Sequence, residues 1–135
     1  MIVVDVNVVV HLLTASSRHA VARDLWKREP RWRLPLLWRH EFLNVLATLT
    51  REGYIAQAAA ETAWRNGVDL LSSGEVETNW IEAFRLAVTM KISAYDAQYV
   101  ALAASLDTVM VTEDARLCRK FPERCRSMEY TLRDL

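Results

Sequence analysis

Cysteine is scarce in this sequence: Cys118 and Cys125 are the only two among 135 residues. Neither has a second cysteine pair or a clustered histidine beside it, which argues against a sulfur-ligated zinc site. Two unpartnered thiols suit a reducing, cytoplasmic setting better than a disulfide scaffold. Long apolar runs are missing too, and none approaches the roughly 20 residues that a membrane-crossing helix requires. The opening MIVVDVNVVVHLLT has no basic leader segment and no small-residue cleavage site, and an acid interrupts it. It is expected to be core, not a signal peptide. Net charge is absent as well: the formal sum is zero, which argues against a bulk polyanion binder. GxSxG, P-loop and GxGxxG motifs do not occur, and no side-chain nucleophile is evident.

What remains is the composition of an ordinary folded domain, 52% hydrophobic and 25% charged. Its length suits one compact unit over residues 1–135, with no linker, repeat or low-complexity tract to divide it. The charge is unevenly spread. Arg18, Arg23, Lys27, Arg28, Arg31, Arg33 and Arg39 form one basic segment, and Arg116, Arg119, Lys120, Arg124 and Arg126 form another. Acids dominate between Glu41 and Glu82. Such segregation builds a positive surface on a neutral chain, although solvated helix faces produce the same pattern.

Hydrophobic periodicity predicts alternating strands and helices. Strands are expected at residues 2–4, 33–35, 108–111 and 128–130, with a further short one at Val76. Helices are expected at 6–13, 19–27, 36–51, 56–71, 80–90, 93–105 and 116–121. Gly53 closes the 36–51 helix, and Asn79 or Thr78 caps the helix from residue 80. Ile81, Phe84, Ala87 and Val88 follow helical spacing on that helix, and Trp38, Trp64 and Trp80 suit a core or a dimer interface. Alternation of this kind implies right-handed crossovers and a parallel sheet within one α/β domain.

In open parallel sheets, ligands lie beyond the carboxyl ends of the strands. Asp5 follows the first strand, Asp114 follows the 108–111 strand, and Asp96 opens the helix leading into that strand. Glu41 borders the apolar stripe of its helix and has no Lys or Arg three or four residues away. Each acid also has a plainer use. Asp5 and Asp114 suit helix caps, Ser93 with Asp96 resembles a capping box, and Glu41 suits an exposed flank. Four acids in apolar or strand-end settings are harder to explain singly. Clustered buried carboxylates repel one another and need compensating cations. Hard oxygen donors without cysteine or histidine point to Mg²⁺ or Mn²⁺. A haloacid-dehalogenase phosphatase also opens with a strand and an aspartate, but it needs a second acid where this chain has Asn7.

Asp5-Val6-Asn7, WRHEFLNVL around Glu41, SAYDAQYVALA around Asp96 and VMVTED ending at Asp114 together resemble the PIN-domain family, most closely its VapC ribonuclease toxins from VapBC toxin–antitoxin modules. The resemblance runs from the first strand to about Leu117. It implies a three-layer α/β/α fold with a central, mostly parallel sheet of four to five strands. It also implies a metal-dependent endoribonuclease that cleaves structured RNA such as tRNA or rRNA, with Asp5, Glu41, Asp96 and Asp114 holding Mg²⁺ or Mn²⁺. Asn7 and Thr112 match the supporting polar residues, and Asn44 and Tyr95 are further neighbours. A homodimer and a VapB-like antitoxin are the implied partners, and the implied location is cytoplasmic. A PIN nuclease that processes RNA without being a toxin, or a non-catalytic PIN interaction module, are the alternatives. In the RNA setting Arg39, Arg116 and Arg119 become candidates for backbone contacts. Glu113 is expected to face solvent, and Trp26 and Trp32 to be buried.

Overall fold

In the computed structural model, which describes residues 1–135, three consecutive residues set the layering. Strand β1 (Ile2–Val4) alternates its side chains between the two faces of a sheet. Ile2 and Val4 join a core with Val8, Leu25, Trp38, Phe42 and Met128. Val3 points the other way, into a second core with Tyr99, Val100, Leu102, Met110 and Leu117. The sheet is thus covered on both sides, giving three layers, α/β/α.

Chain order continues with α1 (Val6–Leu13), α2 (His19–Arg28), β2 (Trp32–Pro35), α3 (Leu37–Arg51), α4 (Gln57–Leu71) and β3 (Glu75–Val76). Then follow α5 (Trp80–Met90), α6 (Ala94–Ser105), β4 (Met110–Val111), α7 (Ala115–Lys120), β5 (Cys125–Arg126) and α8 (Met128–Asp134). The five strands lie in the order β3-β2-β1-β4-β5, and every neighbouring pair is parallel. From β1 the chain builds outward through β2 and β3, then returns to β1's other side with β4. The junction of β1 and β4 is therefore the switch point, where a crevice opens at the strands' carboxyl ends. No helix is long and apolar enough to cross a membrane.

Most local expectations hold to within a residue or two. Gly53 adopts φ +80° after α3, where its N–H donates to Thr50 O and the Tyr54 N–H to Leu49 O. That pair of bonds is a Schellman close, which requires the left-handed residue a glycine supplies. Asn79, rather than Thr78, caps α5 by accepting from the Glu82 N–H at 3.2 Å.

Two expectations of local structure need correction. Residues 128–130 are not a strand: Ser127 accepts from the Tyr130 N–H at 3.1 Å and starts α8, so the last strand is the preceding Cys125–Arg126. The Ser127–Glu129 stretch carries a start signal for a helix that the apolar Met128 and Tyr130 mask. Glu113 does not face solvent; its carboxylate pairs with Arg18, which also pairs with Glu129 of α8. The apolar stripe expected on α5 is present but left uncovered by this chain, since Trp80, Ile81, Phe84 and Val88 are 59–66% exposed. Only Ala83 of that helix is buried, against Ala97 and Ala101 of α6.

Candidate functional site

The β1–β4 switch point carries the first acid. Asp5 follows β1 directly, and its N–H continues the ladder by donating to Val111 O at 2.9 Å. That register sets its side chain beside Thr112. Asp5 Oδ1 accepts from the Val6 N–H at 2.8 Å. Oδ2 accepts from the Thr112 hydroxyl at 2.8 Å and from Asn7 Nδ2 at 3.3 Å. Asn7 also ties the following loop down, because its Oδ1 accepts from the Glu113 N–H at 3.2 Å. The Asp114 N–H in turn donates to Thr112 Oγ1 at 3.1 Å. Asn7 and the fully buried Thr112 thus orient Asp5 and lock the β4–α7 loop in one network.

Asp114 caps α7, its Oδ1 accepting from the N–H groups of Arg116 and Leu117 at 2.9 and 3.3 Å. Asp96 lies in the first turn of α6, and its N–H donates to Ser93 Oγ at 3.0 Å. The plainer capping uses foreseen for Asp5, Asp96 and Asp114 are therefore all present in the structure. They leave acceptor capacity on the Asp96 and Asp114 carboxylates, so capping and ligand binding are compatible roles. Glu41 reaches the same region from α3, held by the Tyr99 hydroxyl, which donates to its Oε1 at 2.7 Å.

Electrostatics link the four acids. Burial pushes the Asp5 carboxyl up to about 6, and the charges of Asp96 and Asp114 push the same way against its hydrogen bonds from Thr112 and Val6. Burial also raises Glu41, with Asp5 and Asp96 adding repulsion. Asp96 is raised by burial and then by Asp114, with only partial relief from Ser93 and Arg116. Three carboxylates from separate segments are thus raised by burial and by neighbouring acids, and the single cation paired with any of the four acids is Arg116, 3.8 Å from Asp114.

No three acids, histidines or cysteines stand close enough together to form a ready-made ion cage. The donor chemistry nevertheless fits a hard divalent cation: all the candidate donor atoms are oxygens, and repulsion among acids is of the kind that such an ion relieves.

Asp96 and Asp114 share the wall of a cavity of about 530 Å³ with Lys91, Ser93, Arg116 and Arg119. Arg116 is 84% exposed. Lys120 also lines this space, but its ammonium is spent on Met90 O and Lys91 O at 2.7 and 3.2 Å, which fixes the α5–α6 turn. Arg39 is differently placed from Arg116 and Arg119. Its guanidinium is held by both oxygens of Glu75 at 2.6 and 2.8 Å, so it is not free to meet a phosphate. Asn44 and Tyr95 are exposed and make no hydrogen bond to the acids.

Sequence reasoning missed two residues of this region. Tyr99 was legible only as one polar tip in an aliphatic run, one helical turn from Asp96. Arg18, the partner of Glu113, lies 95 positions away and gave no local signal.

The family model of the PIN domain matches residues 2–121. No curated protein sequence matches. Among solved structures, PAE2754 from Pyrobaculum aerophilum is 28% identical with a TM-score of 0.77, the match covering 97% of this chain and 92% of that one. The structure of FitAB bound to an IR36 DNA fragment is similar at 14% identity and a TM-score of 0.72, with 95% of each chain covered. VapBC-1 from nontypeable Haemophilus influenzae gives 17% identity and a TM-score of 0.61, covering 96% of this chain and 99% of its own. The last two likenesses are of fold.

Proposed function

Because the chain belongs to the PIN-domain family, whose members are generally nucleases that use divalent metals, we propose that it is a Mg²⁺- or Mn²⁺-dependent endoribonuclease, the toxin of a type II toxin–antitoxin module. Residues 1–135 act as one domain. One observation carries the reading: Asp5, Glu41, Asp96 and Asp114 lie on different elements, and burial with repulsion from neighbouring members of this set raises the carboxyls of Asp5, Glu41 and Asp96. A fold does not gather such charge for stability, since each carboxylate raises the cost of ionising the others.

Asp5, Asp96, Glu41 and Asp114 are the residues that would hold the ion. When bound, a divalent cation acidifies water and offsets negative charge on a phosphodiester, which is how such sites hydrolyse RNA without a side-chain nucleophile. The chain's own part is positioning. Thr112 and Asn7 fix Asp5, and Ser93 fixes the backbone of Asp96. Arg116 and Arg119, on the cavity wall beside Asp96 and Asp114, take phosphates of the RNA backbone, an interaction that positions without reading sequence.

Two partners complete the proposal. The resemblance to VapC, with VapBC-1 among the similar structures, supports a VapB-like antitoxin. The exposed stripe Trp80, Ile81, Phe84 and Val88 supports a homodimer. A two-fold interface matches a patch to itself, and the charges beside this stripe, Glu82 and Arg85, already neutralise each other at 3.1 Å, so two copies of the face would not repel.

The test is RNA cleavage by the purified chain with Mg²⁺ or Mn²⁺, set beside Asp96→Asn and beside EDTA. Cleavage that stops in both arms supports the reading, and cleavage that persists in EDTA refutes the metal mechanism. Growth arrest on expression, relieved by Asp96→Asn, separates a toxin from an RNA-processing nuclease.

A further inference from the structure

Tyr99 combines deep burial with a long reach. Its side chain is fully buried in the core formed by Val3, Val100, Leu102, Met110 and Leu117. Phenylalanine would fill that space equally well. The hydroxyl leaves this core and donates to Glu41 Oε1 at 2.7 Å, joining positions 58 residues apart. No other hydrogen bond holds the Glu41 carboxylate.

Such a bond has two readings. A buried phenol needs an acceptor, because leaving it unpaired costs about 1–3 kcal/mol, and Glu41 would then serve Tyr99. Alternatively the phenol serves the carboxylate. The surroundings favour the second. A backbone carbonyl or an amide would satisfy a phenol without bringing in charge. The acceptor used here is instead half-buried and repelled by Asp5 and Asp96, which is a poor choice for stability alone. Placement points the same way. Tyr99 follows Asp96 by three residues, so both lie on one face of α6. A single rigid helix therefore sets the Asp96 carboxylate and the donor that aims Glu41. Glutamate has three rotatable bonds and loses about 1.5–2 kcal/mol of rotamer entropy when fixed. With Oε1 engaged, that loss is met on folding and only Oε2 is left to turn toward the other acids.

We propose that Tyr99 is a positioning residue for Glu41: its hydroxyl holds one carboxylate oxygen so that the other is presented to a divalent cation shared with Asp5 and Asp96. This rests on the metal reading of the site given above. Tyr99 is not a catalytic residue, since nothing so buried touches RNA.

The experiment is a double-mutant cycle read as Mn²⁺ binding to the full chain, by electron paramagnetic resonance of free Mn²⁺, with thermal melting alongside. Tyr99→Phe is expected to weaken Mn²⁺ binding about tenfold, equivalent to about 1.4 kcal/mol. Glu41→Gln weakens it further, and Tyr99→Phe adds nothing on that background. RNA cleavage by Tyr99→Phe is expected to recover as Mn²⁺ is raised. Replacement of Tyr99 by p-aminophenylalanine keeps a donor in a similar volume and restores binding, whereas p-fluorophenylalanine does not. That pair also carries the test if Tyr99→Phe fails to fold. Unchanged Mn²⁺ affinity in Tyr99→Phe with a lowered melting point makes the tyrosine purely structural and overturns the proposal. A loss from Tyr99→Phe that is as large in the Glu41→Gln variant as in the unaltered chain overturns it too. Absence of Mn²⁺ binding by the unaltered chain refutes the metal reading itself, an outcome distinct from the other two.

Discussion

Helices α5 and α6 lie against each other, yet one encloses its large apolar side chains and the other exposes them. On α6, Tyr99 and the apolar stretch Val100–Ala103 are enclosed, and Asp96 turns toward other acids. On α5 the large apolar residues Trp80, Ile81, Phe84 and Val88 face outward, and only Ala83 is buried. α5 breaks the ordinary rule of apolar inside by exposing large apolar residues, and α6 strains it at one point, the partly buried Asp96 beside another acid. Violations of that kind mark places where something other than stability set the residue. On α6 the strain is electrostatic and calls for a cation. On α5 it is hydrophobic and calls for a covering surface. The two demands are independent, so each can be removed while the other is watched.

The largest effect is expected at α6. Asp96→Asn keeps the side-chain shape and leaves the Ser93 cap bond to the backbone N–H intact, but removes a charge from the proposed metal set. RNA cleavage is expected to fall on the order of 1,000-fold, about 4 kcal/mol of transition-state stabilisation. Circular dichroism and the oligomeric state should not move. Loss of the proposed dimer in this variant would mean that α5 and α6 are not separable after all.

Asp5 tests the electrostatic half through stability. Its carboxyl is pushed up to about 6 in the folded chain, against an unfolded value near 4. A raised pKa means that the folded state holds its proton more tightly, so the contribution is fully present below about pH 4 and is lost as pH rises through about 6. Free of metal, the chain should therefore gain up to about 3 kcal/mol from this group on acidification from neutral pH. Denaturant titrations of the chain and of Asp5→Asn should converge at low pH and diverge toward neutrality, with the variant the more stable at pH 7. Mn²⁺ should erase much of the difference for the unaltered chain alone. Parallel curves across the whole range would show that Asp5 carries no ionisation penalty.

The contrast between the two helices also explains what was legible in the sequence. Strand–helix alternation and the strand-end positions of Asp5 and Asp114 follow from local patterning, and the parallel sheet follows from them. Helical spacing correctly indicated that one face of α5 is apolar, but spacing cannot say whether the cover is the same chain. Tyr99 was hidden for the converse reason, because a tyrosine among Val100, Leu102 and Ala103 reads as core and its hydroxyl partner is on another helix. Arg39 and Glu113 stood among like charges, and their partners Glu75 and Arg18 are set by tertiary approach. Residues 128–130 went wrong because the stretch is too short for period 2 and period 3.6 to be told apart.

At α5 the expected change is one of assembly. Phe84→Glu puts a charge in the centre of the exposed stripe, and a central aromatic typically contributes about 2 kcal/mol to an interface. Sedimentation at micromolar concentration should report a monomer for this variant and the proposed dimer for the unaltered chain. Because Phe84 is 66% exposed, the monomer's own melting point should hardly change. A monomeric unaltered chain would remove the second copy as the cover of α5 and leave a different partner to be sought.

The smallest expected effect lies where the two helices meet. Ala83, Ala97 and Ala101 form the contact, and small side chains there let α5 approach α6 closely. Ala83→Leu overfills that seam and should cost about 1–3 kcal/mol of stability, the usual penalty for added methylenes in a packed contact. Denaturant unfolding measures it. The variant also asks whether α5 merely rests on α6 or helps to hold its acid in place. If Mn²⁺ binding survives while stability drops, α6 is positioned by the sheet and the Tyr99 core, and α5 is free to serve its own partner. If Mn²⁺ binding falls in proportion, the covered face of α5 and the charged face of α6 are coupled through three alanines.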